Sequence, residues 1–188
     1  MSVHVFWDNS NIWIGLKNLC QAKEKVPSTA LRVYLKNLDD FVVRGRDTGE
    51  KMIAGSYPPE CIELLQNAQK LGYNTSFFHR VDDGEKIREQ AVDGNLQLHM
   101  SLCLHRGKTN EVMAILTGDS NVDPDTNTSF LEIIEIALEK KWSVEVYALR
   151  DTISEKKYEP LRKKYECDLS ITYLDDIYES ITYLAEGD

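Results

Sequence analysis

Acidic and amide side chains concentrate in three short stretches of this chain. Residues 8 to 11 read Asp8-Asn9-Ser10-Asn11 and follow directly on the apolar run Val3 to Trp7. Residues 117 to 123 read Thr117-Gly118-Asp119-Ser120-Asn121-Val122-Asp123, after a second apolar run that ends at Leu116. Between them lies Lys86-Ile87-Arg88-Glu89-Gln90-Ala91-Val92-Asp93-Gly94, in which Glu89 and Asp93 are four residues apart. Oxygen donors without competing histidines suit Mg²⁺ or Mn²⁺, hard cations that take carboxylates and keep several waters.

Each stretch also has a purely structural reading. Asp, Asn and Ser are the preferred residues for capping a helix N-terminus, so residues 8 to 11 suit any strand-to-helix turn. Gly118-Asp119-Ser120 is ordinary turn composition. Glu89 and Asp93 on a helix would share one face, where like charges weaken the helix by a few tenths of a kcal/mol. A bound divalent cation removes that repulsion. Together the stretches place two acids at strand ends and two more on a helix that could overhang the same edge. That combination is the arrangement of a hard-metal site with Asp8, Glu89, Asp93 and Asp119 as candidate ligands.

The elements that must position these residues are legible as period. Strands are expected at Val3 to Trp7, Lys51 to Ser56, Asn74 to His79, Glu111 to Leu116, Ser143 to Leu149 and Leu169 to Tyr173. Helices are expected between them. Ser28 to Val43 carries Leu31, Leu35, Leu38 and Val42 on one face, and Thr128 to Lys141 carries Phe130, Leu131, Ile134 and Leu138. Pro59 to Leu71 opens with a proline and stops at Gly72; Glu85 to His105 stops at Gly107; a last helix is expected from about Asp176 to Ala185. Strands alternating with helices imply βαβ units, a mostly parallel central sheet and a three-layer α/β/α architecture. Ligands in such folds bind outside the carboxyl ends of the strands. Two of the three acidic stretches begin there.

The 188 residues suggest one domain over 1–188, large enough to bury a core without staples. A hydrophobic content of 42% and a charged content of 28% are those of a globular protein. No apolar run is long enough to span a bilayer, and the residues before the first strand lack a basic leader, so an intracellular protein without a membrane partner is expected, cytoplasmic or nuclear. The cysteines Cys20, Cys61, Cys103 and Cys167 have no CxxC spacing and read as reduced thiols in helical contexts. His99, Cys103 and His105 are close in sequence, but no second ligand pair with metal spacing accompanies them, which argues against zinc. The formal charge of −9 argues against a general nucleic-acid coat protein and is compatible with an enzyme that meets phosphate through a metal.

The three motifs, in this order, resemble those of the NYN domains, a branch of the PIN-like nuclease fold. Asp8-Asn9-Ser10-Asn11 looks like the family's DxxN motif. Glu89 to Asp93 is similar to its KExxVD motif, and Leu116 to Asn121 resembles its hydrophobic-TGDSD motif. The resemblance covers about residues 3 to 150. It implies a PIN-like fold and a metal-dependent endoribonuclease, with Asp8, Asp93 and Asp119 as the acidic centre, Asn11 in support, and products bearing 5′-phosphate and 3′-hydroxyl ends. Asn121 stands where the family has a second aspartate; an amide oxygen can ligate but adds no charge, so Asp123 or Asp125 is the candidate replacement. A catalytically weak or inactive RNA-binding or scaffold domain of the same type is the alternative. A phosphatase of the haloacid-dehalogenase type would want an aspartate two residues after Asp8, where Ser10 stands.

Hydrolysis of a phosphodiester at such a site needs no protein nucleophile. Single-stranded RNA is the expected partner, with a second copy of the chain or another protein as a further one. Arg80, Lys86 and Arg88 could guide the phosphate chain. His79, Trp7 and Trp13 could stack on bases, although the tryptophans read more readily as core or rim packing residues. Lys156-Lys157 and Arg162-Lys163-Lys164 form a second basic stretch, amphipathic with Tyr158, Leu161 and Tyr165, that reads as a surface helix or an RNA track.

Overall fold

The computed structural model describes residues 1–25, 28–56, 61–78, 80–82, 87–89, 92–118 and 129–185. Its centre is a six-stranded sheet built from β1 (Val3–Asp8), β3 (Thr48–Ser56), β4 (Asn74–Phe78), β7 (Val112–Leu116), β8 (Ser143–Ala148) and β9 (Leu169–Tyr173). The strand order is β4-β3-β1-β7-β8-β9, and every neighbouring pair is parallel. The chain therefore builds outward from β1 to β3 and β4, then returns to add β7, β8 and β9 on the other side. The reversal falls between β1 and β7, and it opens a crevice at their carboxyl ends.

Seven helices accompany the described strands: α1 (Asn9–Glu24), α2 (Leu35–Val43), α3 (Cys61–Lys70), α4 (Val92–Arg106), α5 (Phe130–Glu139), α6 (Glu155–Lys164) and the short α7 (Tyr178–Ile181). Side chains alternate across a strand, so β1 and β7 feed two cores. Val3, Val5 and Trp7, with Val112, Ala114 and Leu116, pack with Ile12 and Leu16 of α1, Leu38 of α2 and Tyr178 of α7. Phe6, Met113 and Ile115 pack on the opposite face with Leu96 of α4, Ile134 of α5 and Tyr158 of α6. Every residue of β1 and β7 is buried, as expected of central parallel strands covered on both faces. This is the three-layer α/β/α arrangement.

Three expected helices are divided. Ser28 to Val43 is a 3₁₀ turn at Ser28–Ala30, strand β2 (Leu31–Val33) and then α2. Leu31, Leu35, Leu38 and Val42 are all buried, as their spacing requires, but Leu31 reaches the core from a strand. The cause is a distant partner: β2 pairs antiparallel with β10 (Thr182–Leu184). The same pairing ends the last expected helix early, leaving a 3₁₀ turn at Leu174–Ile177 and α7. The third is Glu85 to His105. Residues Arg80–Asp82 (β5) and Ile87–Glu89 (β6) form an antiparallel pair, and α4 starts only at Val92. Asp83-Gly84 between them is a strong hairpin composition. Cys167 also departs from expectation: it is exposed and lies outside any helix, whereas Cys20 and Cys103 are buried thiols in α1 and α4.

Candidate functional site

Asp8 is the last residue of β1 and the N-cap of α1, at the crevice where the sheet reverses. Its Oδ1 accepts the backbone N–H of Asn11 at 3.0 Å, which is the capping bond expected of this residue type. Its Oδ2 accepts the hydroxyl of Thr117 at 3.1 Å. Thr117 is the first residue after β7, and β7 lies directly beside β1, with Trp7 opposite Leu116. Asp8 is only 4% exposed and Thr117 1%. The carboxylate is thus both a cap and a fixed element of the crevice, oriented by a backbone amide and a hydroxyl.

Asn11 ties the two strand ends together. Its backbone caps onto Asp8, while its side-chain Oδ1 accepts the backbone N–H of Gly118 at 2.8 Å. Gly118 is pressed from the other side by the loop that follows β8. A Cβ on Gly118 would lie 2.5 Å from Thr152 Oγ1 and 2.8 Å from the Thr152 carbonyl carbon and oxygen. Gly15 of α1 meets the same loop, where a Cβ would lie 2.8 Å from Leu149 Cγ. Thr152 is itself fixed by Leu149, whose carbonyl accepts both its backbone N–H and its hydroxyl. Three chain segments thereby lock the backbone at Gly118, the residue before Asp119. Thr117 and Thr152 are the contributions that sequence reasoning did not assign. Thr117 lies inside a recognised motif, but its role requires β1 beside β7; nothing local marks Thr152.

Asp93 is in the first turn of α4. That helix packs over β3 and β1, and Val92 and Leu96 join the core on the Phe6 face. Asp8 has the strand parity of Phe6, so Asp8 and α4 belong to the same side of the sheet. The other end of α4 is at the amino edge, where Cys103 contacts His4 of β1 at 3.1 Å. Ten residues separate Asp93 from Cys103, about 15 Å along the axis, so Asp93 stands towards the carboxyl edge. Glu89 is corrected: it ends β6 and is not a helical neighbour of Asp93. Arg80 and Arg88 sit on the hairpin strands β5 and β6, one residue out of direct register. Asp119, Lys86, Asp123, Asp125, Asn121 and His79 lie outside the described residues. Trp7 is 1% exposed, edge-on to Tyr73 at 6.2 Å, and is a core residue. Trp13 is half-buried, with Lys17 Nζ 5.1 Å from its ring centre.

Among the described residues, no three His, Cys, Asp or Glu side chains are grouped to hold a metal ion. The fit to a cation therefore rests on donor chemistry at Asp8. A carboxylate has about four acceptor positions when ionised, more than the two that the Asn11 N–H and the Thr117 hydroxyl occupy. Those oxygens suit Mg²⁺ or Mn²⁺. His99, one turn before Cys103, pairs through Nδ1 with Glu50 Oε1 at 2.9 Å, and the exposed His105 joins neither. No helix among the described residues is long and apolar enough to cross a membrane. No known family model matches the chain, and no curated protein sequence matches it at a significant level.

Proposed function

We propose that this chain is a metal-dependent endoribonuclease of the NYN type, acting on single-stranded RNA at the carboxyl edge between β1 and β7. One observation carries the reading: Asp8 and the Thr117-Gly118 turn, far apart in sequence, are bonded to one another directly and through Asn11. The two motifs that would supply acids to one centre therefore meet at one crevice. Asp119 follows Gly118 in the chain, and Asp93 heads a helix on the same side.

Asp8, Asp93 and Asp119 would hold a Mg²⁺ or Mn²⁺ ion, with Asp123 as a further candidate. Such an ion, when bound, acidifies a water and stabilises charge on the phosphate oxygens. The chain's own part is positional. The Thr117 hydroxyl and the Asn11 N–H orient the Asp8 carboxylate, and the Asn11 amide fixes the backbone at Gly118. Arg80, Lys86 and Arg88 on or beside the hairpin would attract the phosphate chain. RNA is preferred over DNA by the motif resemblance alone. Asn121, in the place of a family aspartate, favours a second reading in which the domain binds RNA but cleaves it weakly or not at all.

Incubation of labelled single-stranded RNA with the protein and Mn²⁺, beside Asp8→Asn, separates these readings. Metal-dependent cleavage that disappears in Asp8→Asn is the expected result. Cleavage that persists unchanged in the variant would remove Asp8 from the chemistry, and binding without cleavage by the wild type would favour the second reading.

A further inference from the structure

The chain is acidic overall, yet α6 reads Glu-Lys-Lys-Tyr-Glu-Pro-Leu-Arg-Lys-Lys. Tyr158 and Leu161 are buried and fasten the helix to the core on the Phe6 face. Lys156, Lys157, Arg162, Lys163 and Lys164 are exposed. Both ends are anchored. At the head, Glu155 accepts a hydrogen bond from the hydroxyl of Tyr173, the last residue of β9, which fixes this end at the carboxyl edge. At the tail, Lys164 pairs with Glu135 of α5 at 2.9 Å and lies 3.7 Å from Glu139.

Two kinds of cation meet here. Arg150 is consumed locally: it forks onto Asp176 at 2.8 and 3.0 Å and covers the Tyr173 ring at 4.3 Å. Lys156, Arg162 and Lys163 are presented on a rigid helix. Three strand steps separate β1 from β9, roughly 15 Å, and ten helical residues add about the same length along α6. Lys156 therefore stands near the carboxyl edge that carries Asp8. Arg162 and Lys163 lie further along α6 towards the amino edge, where Tyr165 and Asp168 lead into β9. The cations thus form a track that leads away from the Asp8 edge on the same side of the sheet.

We propose that the outward face of α6, through Lys156, Arg162 and Lys163, carries the phosphate chain of a single-stranded RNA that passes the Asp8 edge. This rests on the nuclease reading and adds to it a second contact region opposite the β5–β6 hairpin. A polyanion fits better than a lipid surface, because the apolar residues of α6 point into the core and leave nothing to insert between acyl chains. Lys156 and Lys163, seven residues apart, share one face of α6 and Arg162 flanks it, so phosphates of a strand lying along the helix meet cations at both ends.

The test is fluorescence anisotropy with a labelled oligouridylate dodecamer in EDTA, so that binding is read without cleavage, across a series of salt concentrations. Each phosphate contact with a single strand contributes about 0.7 to the slope of log affinity against log salt. The triple variant Lys156→Ala/Arg162→Ala/Lys163→Ala is expected to lower that slope by about 2. Glu159→Lys, which adds a cation to the same helix without touching the core, is expected to tighten binding and steepen the slope. Cleavage is read separately with Mn²⁺ present, so a failed nuclease reading shows as absent cleavage by the wild type with this binding pattern intact. A wild-type slope in the triple variant, no response to Glu159→Lys, no binding by the wild type, or equal loss of binding to phosphatidylserine vesicles would overturn the proposal.

Discussion

Acids at the amino edge of the central sheet and Asp8 at its carboxyl edge are oriented by different kinds of donor. At the amino edge, acids face cations or imidazoles. Glu111 takes the Nε2–H of His4 at 2.8 Å, Glu50 meets His99, and Glu145 on β8 takes both arms of Arg46 at 2.8 and 2.9 Å. Nearby, the buried Asp39 accepts from Lys51 and from the Tyr73 hydroxyl, each at 2.7 Å. At the carboxyl edge, a backbone amide and a hydroxyl both donate to Asp8. Ion pairing anchors a carboxylate through its charge; the amide and the hydroxyl at Asp8 fix the direction of its oxygens. The amino edge even contains a thiol, an imidazole and a carboxylate in a row, Cys103, His4 and Glu111. Yet burial, with Glu50 and Glu111 adding to it against Arg106, pushes the Cys103 thiol up to about 12. That chain is a structural linkage, since a nucleophilic cysteine needs its thiolate. It also fixes the His4 tautomer, because Nδ1 accepts the Glu50 N–H at 3.0 Å.

The largest expected effect breaks the carboxyl edge at its charge. Asp8→Asn keeps a capping oxygen and removes the negative charge, and cleavage should fall by more than the roughly 10–100-fold typical of losing a group that only orients a metal ligand. A Mn²⁺-induced rise in melting temperature should vanish with it. The next effect tests orientation alone. Thr117→Val keeps shape and drops the hydroxyl, so a loss of about 10–100-fold is expected, with Thr117→Ser recovering most of it. Equal activity in Val and Ser variants would show that the hydroxyl orients nothing.

Glycines sharpen the comparison. Gly49 at the amino edge faces a ring, with His4 Cε1 only 2.2 Å from where a Cβ would be, whereas Gly118 faces the Thr152 backbone. Ala at either position is expected to destabilise by about 1–3 kcal/mol in urea unfolding, as overpacking does. Gly118→Ala should also depress cleavage at temperatures where the protein stays folded, because it displaces the backbone next to Asp119. Full activity in a folded Gly118→Ala would contradict a role for that close approach.

What the sequence disclosed follows from range. β1 and β7 were legible because short apolar runs ending in acids need no knowledge of their neighbours. The burial of Leu31 was legible and its conformation was not, because its strand forms only against Thr182–Leu184. Glu89 and Asp93 satisfy a helical spacing whatever the backbone does, and the Asp83-Gly84 hairpin composition was the competing signal. Asp8 and Asp93 could be nominated as acids beforehand, but the bonds from Thr117 and Asn11 depend on β1 lying beside β7. Thr152 acts through van der Waals closeness to a glycine, which leaves no local pattern.

The smallest expected effect concerns the paired edge, and it is read in pH. Burial raises the pKa of Glu145, but hydrogen bonds from Arg46 and Tyr147 outweigh it, and the net shift is downward. Folded protein therefore binds fewer protons at Glu145 than the unfolded chain does. The stabilisation is complete above the ordinary glutamate value of roughly 4.3 and is lost as pH falls through the lowered one. Glu145→Gln should lower stability at neutral pH and flatten the acid limb of a plot of unfolding free energy against pH. RNA cleavage at neutral pH should be unchanged, since the described partners of Glu145 are Arg44, Arg46 and Tyr147, away from Asp8. An acid limb as steep in Glu145→Gln as in the wild type would assign acid sensitivity to other carboxylates, and a parallel loss of cleavage would mean that the two edges are coupled through β8.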